Sequence, residues 1–385
     1  MNLLYIVNFD ITDVKMLGVR KKIDGQIKSF KKLNADVDML WCNDNKIFLN
    51  GDSFETKKGL SNYRHSIYLW LIKNIKKYDY IYYRLPDVLD INMINIIKLC
   101  NKNNVELILE IPTYPLKGEF KLVLFNYIKK GKIIHFLFHS LKYFIHIIIS
   151  KIIYKWHFNI VTFMPYSNIW NVGTIIIDNG VDTDSEKVVL HKSNNKEIIK
   201  LIVVANISLW HGIDRLLYGL QKYVESGKEN VFLTVVGEGN YLDELKKICL
   251  DCNLQKYVTF QGKTYGDKLN QLYQECDIAV ASLGMHRIGV INGSTLKTKE
   301  YCSKGIPFIY AYNEKVFNGF DYALKFDADD SPIDINKICA FYSSISKIDD
   351  YQDKMHDYAK RNLDWNVQMK KVLKKIQEKD GKHES

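Results

Sequence analysis

Short apolar, β-branched runs alternate along the chain with stretches whose apolar residues recur every three to four positions, a rhythm that predicts βαβ units and parallel sheets. In the first half the strand-like runs are LLYIVNF (3–9), DVDMLWC (36–42), DYIYYR (79–84), ELILEIP (106–112), IVTFM (160–164) and TIIIDNG (174–180). The second half has IKLIVVAN (199–206), VFLTVVGEG (231–239), VTFQG (258–262), IAVAS (278–282) and PFIYA (307–311). Val19, Ile23, Ile27 and Phe30 keep three-to-four spacing and predict a helix over 18–33 packed on the first sheet. The rhythm lapses after Gly180, where DNGVDTDSEKVVLHKSNNKE collects turn residues. The chain therefore reads as two doubly wound α/β domains, 1–180 and 181–350. A helical segment over 351–385 follows with no strand after it, so it must pack back across existing structure.

Composition agrees with two domains, because 385 residues at 47% hydrophobic exceed what one core holds. The formal charge is +10, but the lysines are dispersed, which argues for small phosphorylated ligands or an anionic membrane face and against nucleic acid. Seven scattered cysteines and a start, MNLLYIVNFDITD, without a basic leader predict reduced thiols and a cytoplasmic protein. Cys249 and Cys252 form a C-x-x-C with no second pair, and read as core thiols. In KKGKIIHFLFHSLKYFIHIIISKIIYKWHF, 129–158, the apolar run is long enough to span a membrane. His135, His139, Lys142 and His146 nevertheless draw a polar stripe along it, and lysines at 129, 130, 132, 151 and 155 flank it. Two readings stand: an in-plane helix on anionic lipid over 129–155, or a long buried helix. His135 and His139 have metal-pair spacing, but no acidic third ligand is near, so no metal is expected there.

Ligands of open α/β sheets sit where strands end and helices begin. One such place is NGSTLKTKEYCSKGIPF, Asn292 to Phe308, which is either an ordinary connector or an anion-binding helix start. Gly293, Ser294, Thr295 and Leu296 would let the first N–H groups approach a phosphate, and Lys297 adds a full charge. Glu300, one turn on, aims back toward the same place, where a ribose would fit. Gly237 and Gly239 read as a tight strand-to-helix turn. The D-x-D pairs, at 182–184 and 327–329, fall outside the strand-end loops of the second domain, which predicts a reaction without metal or other cofactor.

Together with VVGEG, VTFQGK, CDIAVASLGMHR, VANISLWHGIDRLL and IDNGVD, that stretch resembles the retaining GT-B glycosyltransferases of glycosyltransferase family 4. GVRKKIDGQIKSF and EIPTYPLKGE resemble the branch that builds bacterial capsular and extracellular polysaccharides. The resemblance implies two Rossmann-like parallel-sheet domains facing a central cleft, a nucleotide-diphosphate sugar as donor and a lipid-linked or oligosaccharide acceptor. It also implies retention at the anomeric carbon and work on the inner face of the cell membrane. It places the family's ribose-binding Glu at Glu300, and puts Asn292 where the family's first Glu meets the donor sugar. The family's basic pair falls on Asn206 and His211, so both usual cations are missing; His211 could be protonated beside a diphosphate, and Arg215, Arg287 and Lys297 are candidates for the fixed charge, Arg287 being preferred as the diphosphate clamp. Gly18 matches the glycine that approaches the donor. EIPTYP carries the acceptor-side candidates Glu110, Thr113 and Tyr114, where the family often has a His. A sugar-nucleotide epimerase or hydrolase, or a non-catalytic nucleotide-binding partner in a glycan-assembly complex, are the alternatives.

Overall fold

The computed structural model describes residues 1–13, 16–43, 46–55, 63–85, 88–189 and 197–380. The chain divides into two compact units, Met1–Gly180 with Trp365–Ser385, and Val181–Asp364.

The first unit runs β1 (Asn2–Val7), α1 (Leu17–Lys32), β2 (Asp36–Asn43), β3 (Lys46–Leu49), β4 (Asp52–Glu55), α2 (Tyr63–Asn74), β5 (Tyr80–Arg84), α3 (Ile91–Lys102), β6 (Glu106–Ile111), α4 (Lys117–Lys129), α5 (Ile133–Ser150), β7 (Asn159–Thr162), β8 (Asn168–Ile169) and β9 (Val172–Ile176). Among the described residues these strands make one sheet in the order β4-β3-β2-β1-β5-β6-β7-β9-β8. It is parallel from β2 through β9. β1 is buried on both faces from Leu3 to Val7, as a central parallel strand must be. The apolar rhythm does not announce β3 and β4, an antiparallel hairpin beside β2, whose Trp41 stacks on Phe48 of β3 at 4.1 Å. Its signal was the Asn50-Gly51 pair, whose φ values of 52° and 104° suit a tight hairpin turn. The apolar segment 129–158 is likewise not one continuous helix: Gly131, at φ 64°, separates α4 from α5.

The second unit runs β10 (Ile199–Val204), α6 (Ile213–Glu225), β11 (Val231–Val236), α7 (Leu242–Asp251), β12 (Val258–Gly262), α8 (Gly266–Glu275), β13 (Ile278–Val280), α9 (Leu296–Ser303), β14 (Phe308–Tyr310), β15 (Ala323–Lys325), α10 (Ile335–Ile345) and α11 (Tyr351–Asn362). Its sheet has the order β12-β11-β10-β13-β14-β15, and every pairing is parallel. Successive residues of β10 feed opposite cores: Leu201 and Val203 join one, Ile202 the other. After β11, Gly237 has φ 125°, and a Cβ there would lie 1.8 Å from the Ala205 carbonyl oxygen. Gly237→Ala is expected to destabilise this unit by roughly 2–4 kcal/mol through backbone strain and overpacking, read as a lower unfolding temperature. A variant that melts with the parent but loses donor binding would make this glycine a substrate contact instead.

The segment 351–385 was expected to be a single packing helix. It forms two, α11 and then α12 (Trp365–Asp380), with 381–385 outside the described residues. The break has a cause in the second unit, where Asp364 Oδ2 accepts the Thr183 N–H at 3.1 Å and its hydroxyl at 2.6 Å. Beside it Val181 N–H donates to the Leu363 carbonyl at 2.9 Å. α11 stays on this unit, with His356 Nδ1 2.6 Å from the Ser303 carbonyl oxygen. α12 belongs to the first unit, where the Trp365 ring comes within 2.3 Å of the place a Cβ on Gly25 would occupy.

Candidate active site

The strand order of the second unit reverses between β10 and β13, which opens a crevice beyond their carboxyl ends. The loops that leave the sheet there are stitched together. Leu283 N–H donates to the His211 carbonyl at 2.9 Å, and Gly284 N–H to the Trp210 carbonyl at 3.2 Å. Only a glycine allows this approach, because a Cβ on Gly212 (φ 62°) would sit 2.6 Å from the Gly284 nitrogen.

The basic groups gathered around these loops differ in what they are free to do. Arg215 is 1% exposed, and its guanidinium donates to the carbonyls of Ser331 (2.8 Å), Leu283 and Asp327 (3.1 Å) and to the Asp329 carboxylate (3.0 Å). Arg287 grips both oxygens of Asp214 at 2.8 and 2.7 Å and donates through Nε to Asp330 at 2.7 Å. The expectation that these arginines offer fixed charge to a diphosphate thus meets a different arrangement, in which aspartates already hold them and both brace the loop at 283–289. His211 is the group that could be protonated beside a diphosphate, but the fold favours its neutral form. Its Nδ1 takes the Ser208 N–H at 3.1 Å. Burial, with the charge of Lys297 adding, pushes its pKa down to about 3. The ring is therefore neutral, with its proton on Nε2.

Lys297 is the exception among the cations. Its Nζ is shut off from solvent and has no hydrogen-bond partner among the described residues. Burial lowers its pKa to about 7, against the raising influence of Glu300. A buried ammonium without a partner is costly, and an arriving anion would remove that cost.

Lys297 stands in the first turn of α9, whose start is partly occupied by the chain itself. Thr295 N–H, expected to meet a phosphate, donates to Glu314 Oε1 at 3.0 Å, while the Thr298 hydroxyl donates to Oε2 at 3.0 Å. Glu314 takes this place because it also pairs with Lys299, and both side chains are fully buried. The N–H groups of Leu296 and Lys297 remain, since the first turn of a helix offers them no acceptor. Ser294 and Leu296 are half-buried there. Glu300 follows one turn on, with its side chain 29% exposed and Lys304 Nζ at 3.9 Å. Ahead of the helix, Gly293 N–H donates to the Asn313 carbonyl at 3.0 Å. Asn292 is exposed, and its Oδ1 accepts from Asn313 Nδ2 at 3.2 Å; Asn313 Oδ1 in turn accepts from Lys325. Asn206 is exposed as well, its carbonyl accepting the Ser208 hydroxyl at 3.3 Å. Glu314, Lys299 and Asn313 escaped the sequence reading; the signal for Glu314 was a charged residue just past the carboxyl end of β14.

The remaining candidates belong to the first unit. Gly18 is exposed and a Cβ on it would meet nothing within 4 Å, so packing does not require glycine there; residues 14–15 of the same loop lie outside the described residues. Glu110, at the end of β6, is fully buried and accepts from Gln26 Nε2 (2.7 Å), the Tyr82 hydroxyl (2.6 Å) and Arg84, with Lys22 Nζ at 3.3 Å. This makes it a hub of the interior and not a group open to an acceptor. Thr113 is half-buried, and Tyr114 sets its ring edge-on to Tyr166 at 5.1 Å.

Residues 184–310, which contain the crevice, match the family described as glycosyl transferases group 1. An uncharacterized glycosyltransferase of Methanocaldococcus jannaschii is 27% identical over 193 residues, 49% of this chain; the chain spans about half (47%) the length of that curated relative. A glycosyltransferase from Rickettsia africae superposes with a TM-score of 0.64 at 13% identity, covering 98% of each chain. Anabaena HepE in complex with UDP and glucose reaches 0.60 at 12% identity over 98% of this chain and 100% of its own. Sucrose-phosphate synthase from Thermosynechococcus elongatus reaches 0.60 at 12% identity over 98% and 99%. The solved structures carry the fold and the matched segment carries the chemistry's neighbourhood: this chain has the GT-B fold of two Rossmann-like units, and the likenesses support a GT-B glycosyltransferase.

Proposed function

We propose that the chain is a retaining glycosyltransferase of the family 4 kind, moving a hexose from a nucleotide-diphosphate sugar to a lipid-linked saccharide in bacterial capsule or exopolysaccharide synthesis. The observation that carries the donor half is Lys297, whose buried amine has no hydrogen-bond partner among the described residues, at the start of a helix on the strand-order reversal. The HepE complex with UDP and glucose supports a nucleotide sugar as donor here.

As the anomeric C–O bond breaks, its electron pair leaves on the diphosphate, where Lys297 Nζ and the N–H groups of Leu296 and Lys297 stabilise the new charge. The acceptor hydroxyl attacks from the same face and its proton passes to the departing phosphate oxygen, so the configuration is retained. Glu300 holds the ribose hydroxyls, and neutral His211 donates from Nε2. Asn292, through its Nδ2, offers a donor to the sugar where the family resemblance puts a carboxylate. These groups supply the positive charge without a metal, and the enzyme works at the cytoplasmic face of the membrane.

The test is a screen of UDP-, GDP- and ADP-sugars by thermal shift, followed by transfer to membrane lipid extract. One donor is expected to stabilise the protein and to label lipid only when acceptor is present. Glu300→Ala should raise the KM for that donor by about 10- to 100-fold, the worth of charged hydrogen bonds to two hydroxyls. Product formed without acceptor would mean an epimerase or hydrolase. A chain that no nucleotide stabilises would mean a partner protein.

A further inference from the structure

The polar stripe of α5 is divided: His146 is buried and His139 half-buried, while His135 and Lys142 are exposed. His146 Nδ1 accepts the Leu89 N–H at 3.0 Å. His139 Nε2 meets the Tyr127 hydroxyl at 3.2 Å, and Phe120 stacks on Tyr143 at 4.4 Å, so α4 and α5 clasp as a hairpin against the first unit. Beside His135 and Lys142, what points outward on α5 is apolar. Ile134 is 81% exposed, Phe144 and Leu137 60%, Leu141 57% and Ile148 48%, spaced at three and four residues along one face. Phe125 (64%) and Ile128 (59%) extend that face onto α4. Soluble proteins seldom leave an apolar surface of this extent uncovered.

The charge around it selects the occupant. Between Lys117 and Lys155 there are eight lysines and one acidic residue, Glu119. Lys129, Lys130 and Lys132 crowd the turn of the hairpin, Lys151 and Lys155 the far end of α5, and all five are exposed. A second copy of the chain would set these lysines against their own kind, whereas phosphate headgroups would neutralise them. Among the described residues one helical stretch, Ile133–Lys155, is long and apolar enough to cross a membrane by length and composition. Crossing would draw His139, Lys142 and His146 into hydrocarbon and strip the Leu89 N–H of its acceptor, so the contacts favour a helix lying flat.

We infer that the α4–α5 hairpin is a membrane-docking surface that rests in the plane of an anionic bilayer, its apolar face among the acyl chains and its lysines on the lipid phosphates. This bears on the membrane location in the reading above, but it rests on the hairpin alone and would hold for a chain that transfers no sugar.

The full chain should sediment with phosphatidylcholine vesicles containing phosphatidylglycerol, bind pure phosphatidylcholine far less, and be released by alkaline carbonate. Leu137→Glu with Phe144→Glu, both at exposed positions, should cut vesicle binding by about tenfold or more while leaving the unfolding temperature unchanged. Replacing Lys129, Lys130 and Lys132 by Gln should weaken binding and reduce its salt sensitivity. Resistance to carbonate would show a spanning helix and overturn the in-plane geometry. Failure to bind either vesicle, or a dimer in solution that the double variant dissociates, would overturn the lipid as occupant. Because no nucleotide enters the assay, its outcome is separate from that of the donor screen.

Discussion

Replacing Lys297 by Met will lower turnover by about 100- to 1,000-fold, the usual loss when one group that stabilises a leaving oxyanion is removed, while the empty protein becomes more stable. The two effects have one origin. In the empty protein the Lys297 Nζ is desolvated with no partner among the described residues, so the fold bears a cost that methionine, of similar length, does not. The pH dependence follows with a definite sign. The pKa falls from the ordinary 10.5 to about 7, so between those values the unfolded chain binds a proton that the folded chain lacks. Stability therefore rises with pH across that window, and the melting gap between variant and parent is widest at pH 7 and below. Above pH 7 a diphosphate should draw the proton back onto Nζ, so calorimetric heats of donor binding will vary with the ionisation enthalpy of the buffer, and Lys297→Met will abolish this. A variant that keeps full turnover, or that unfolds, would remove the lysine from the site.

Glu110→Ala carries the largest expected effect on stability, a loss of about 3–5 kcal/mol, because it leaves two buried cations, Lys22 and Arg84, without their counter-charge. Burial opposes ionisation of Glu110, but Lys22 and Arg84, with hydrogen bonds from Tyr82 and Gln26, together outweigh it and bring the pKa to about 2. Its contribution is complete above the ordinary 4.5 and disappears as pH falls through about 2. Glu110→Gln keeps the volume and part of the hydrogen bonding and should lose less. Calorimetry of the transition of the first unit checks both. If Glu110→Ala melts with the parent and loses only activity toward acceptor, the carboxylate serves the acceptor and the buried network is not what holds this sheet.

Much of the fold was legible because strands and helices repeat locally. Leu3 to Val7 and Leu201 to Val203 had to be central strands whatever lay beside them, since only burial on both faces suits such runs. The hairpin of β3 and β4 was legible too, in Asn50-Gly51, but its few apolar positions gave a weak period. The two helices at the carboxyl end shared one helical rhythm. The stop between them came from Thr183, which reaches Asp364 from far upstream and leaves no trace in local periodicity.

The candidate site divides the same way. The sequence alone determined that a helix with Lys297 and Glu300 begins past a strand end, because glycine and small polar residues before a helical run dictate a local geometry. Which cation there stays uncommitted was a tertiary matter. Arg215, Arg287 and Lys297 are alike as cationic residues, and only the fold brings Asp329 to the first and Asp214 with Asp330 to the second, leaving the Lys297 Nζ without a hydrogen-bond partner among the described residues. The same holds for α5, where the spacing of its histidines defined a stripe but could not say which way it turns. Periodicity is written by neighbours three or four residues apart, whereas ion pairing and the direction of a face depend on residues that only the folded chain brings together.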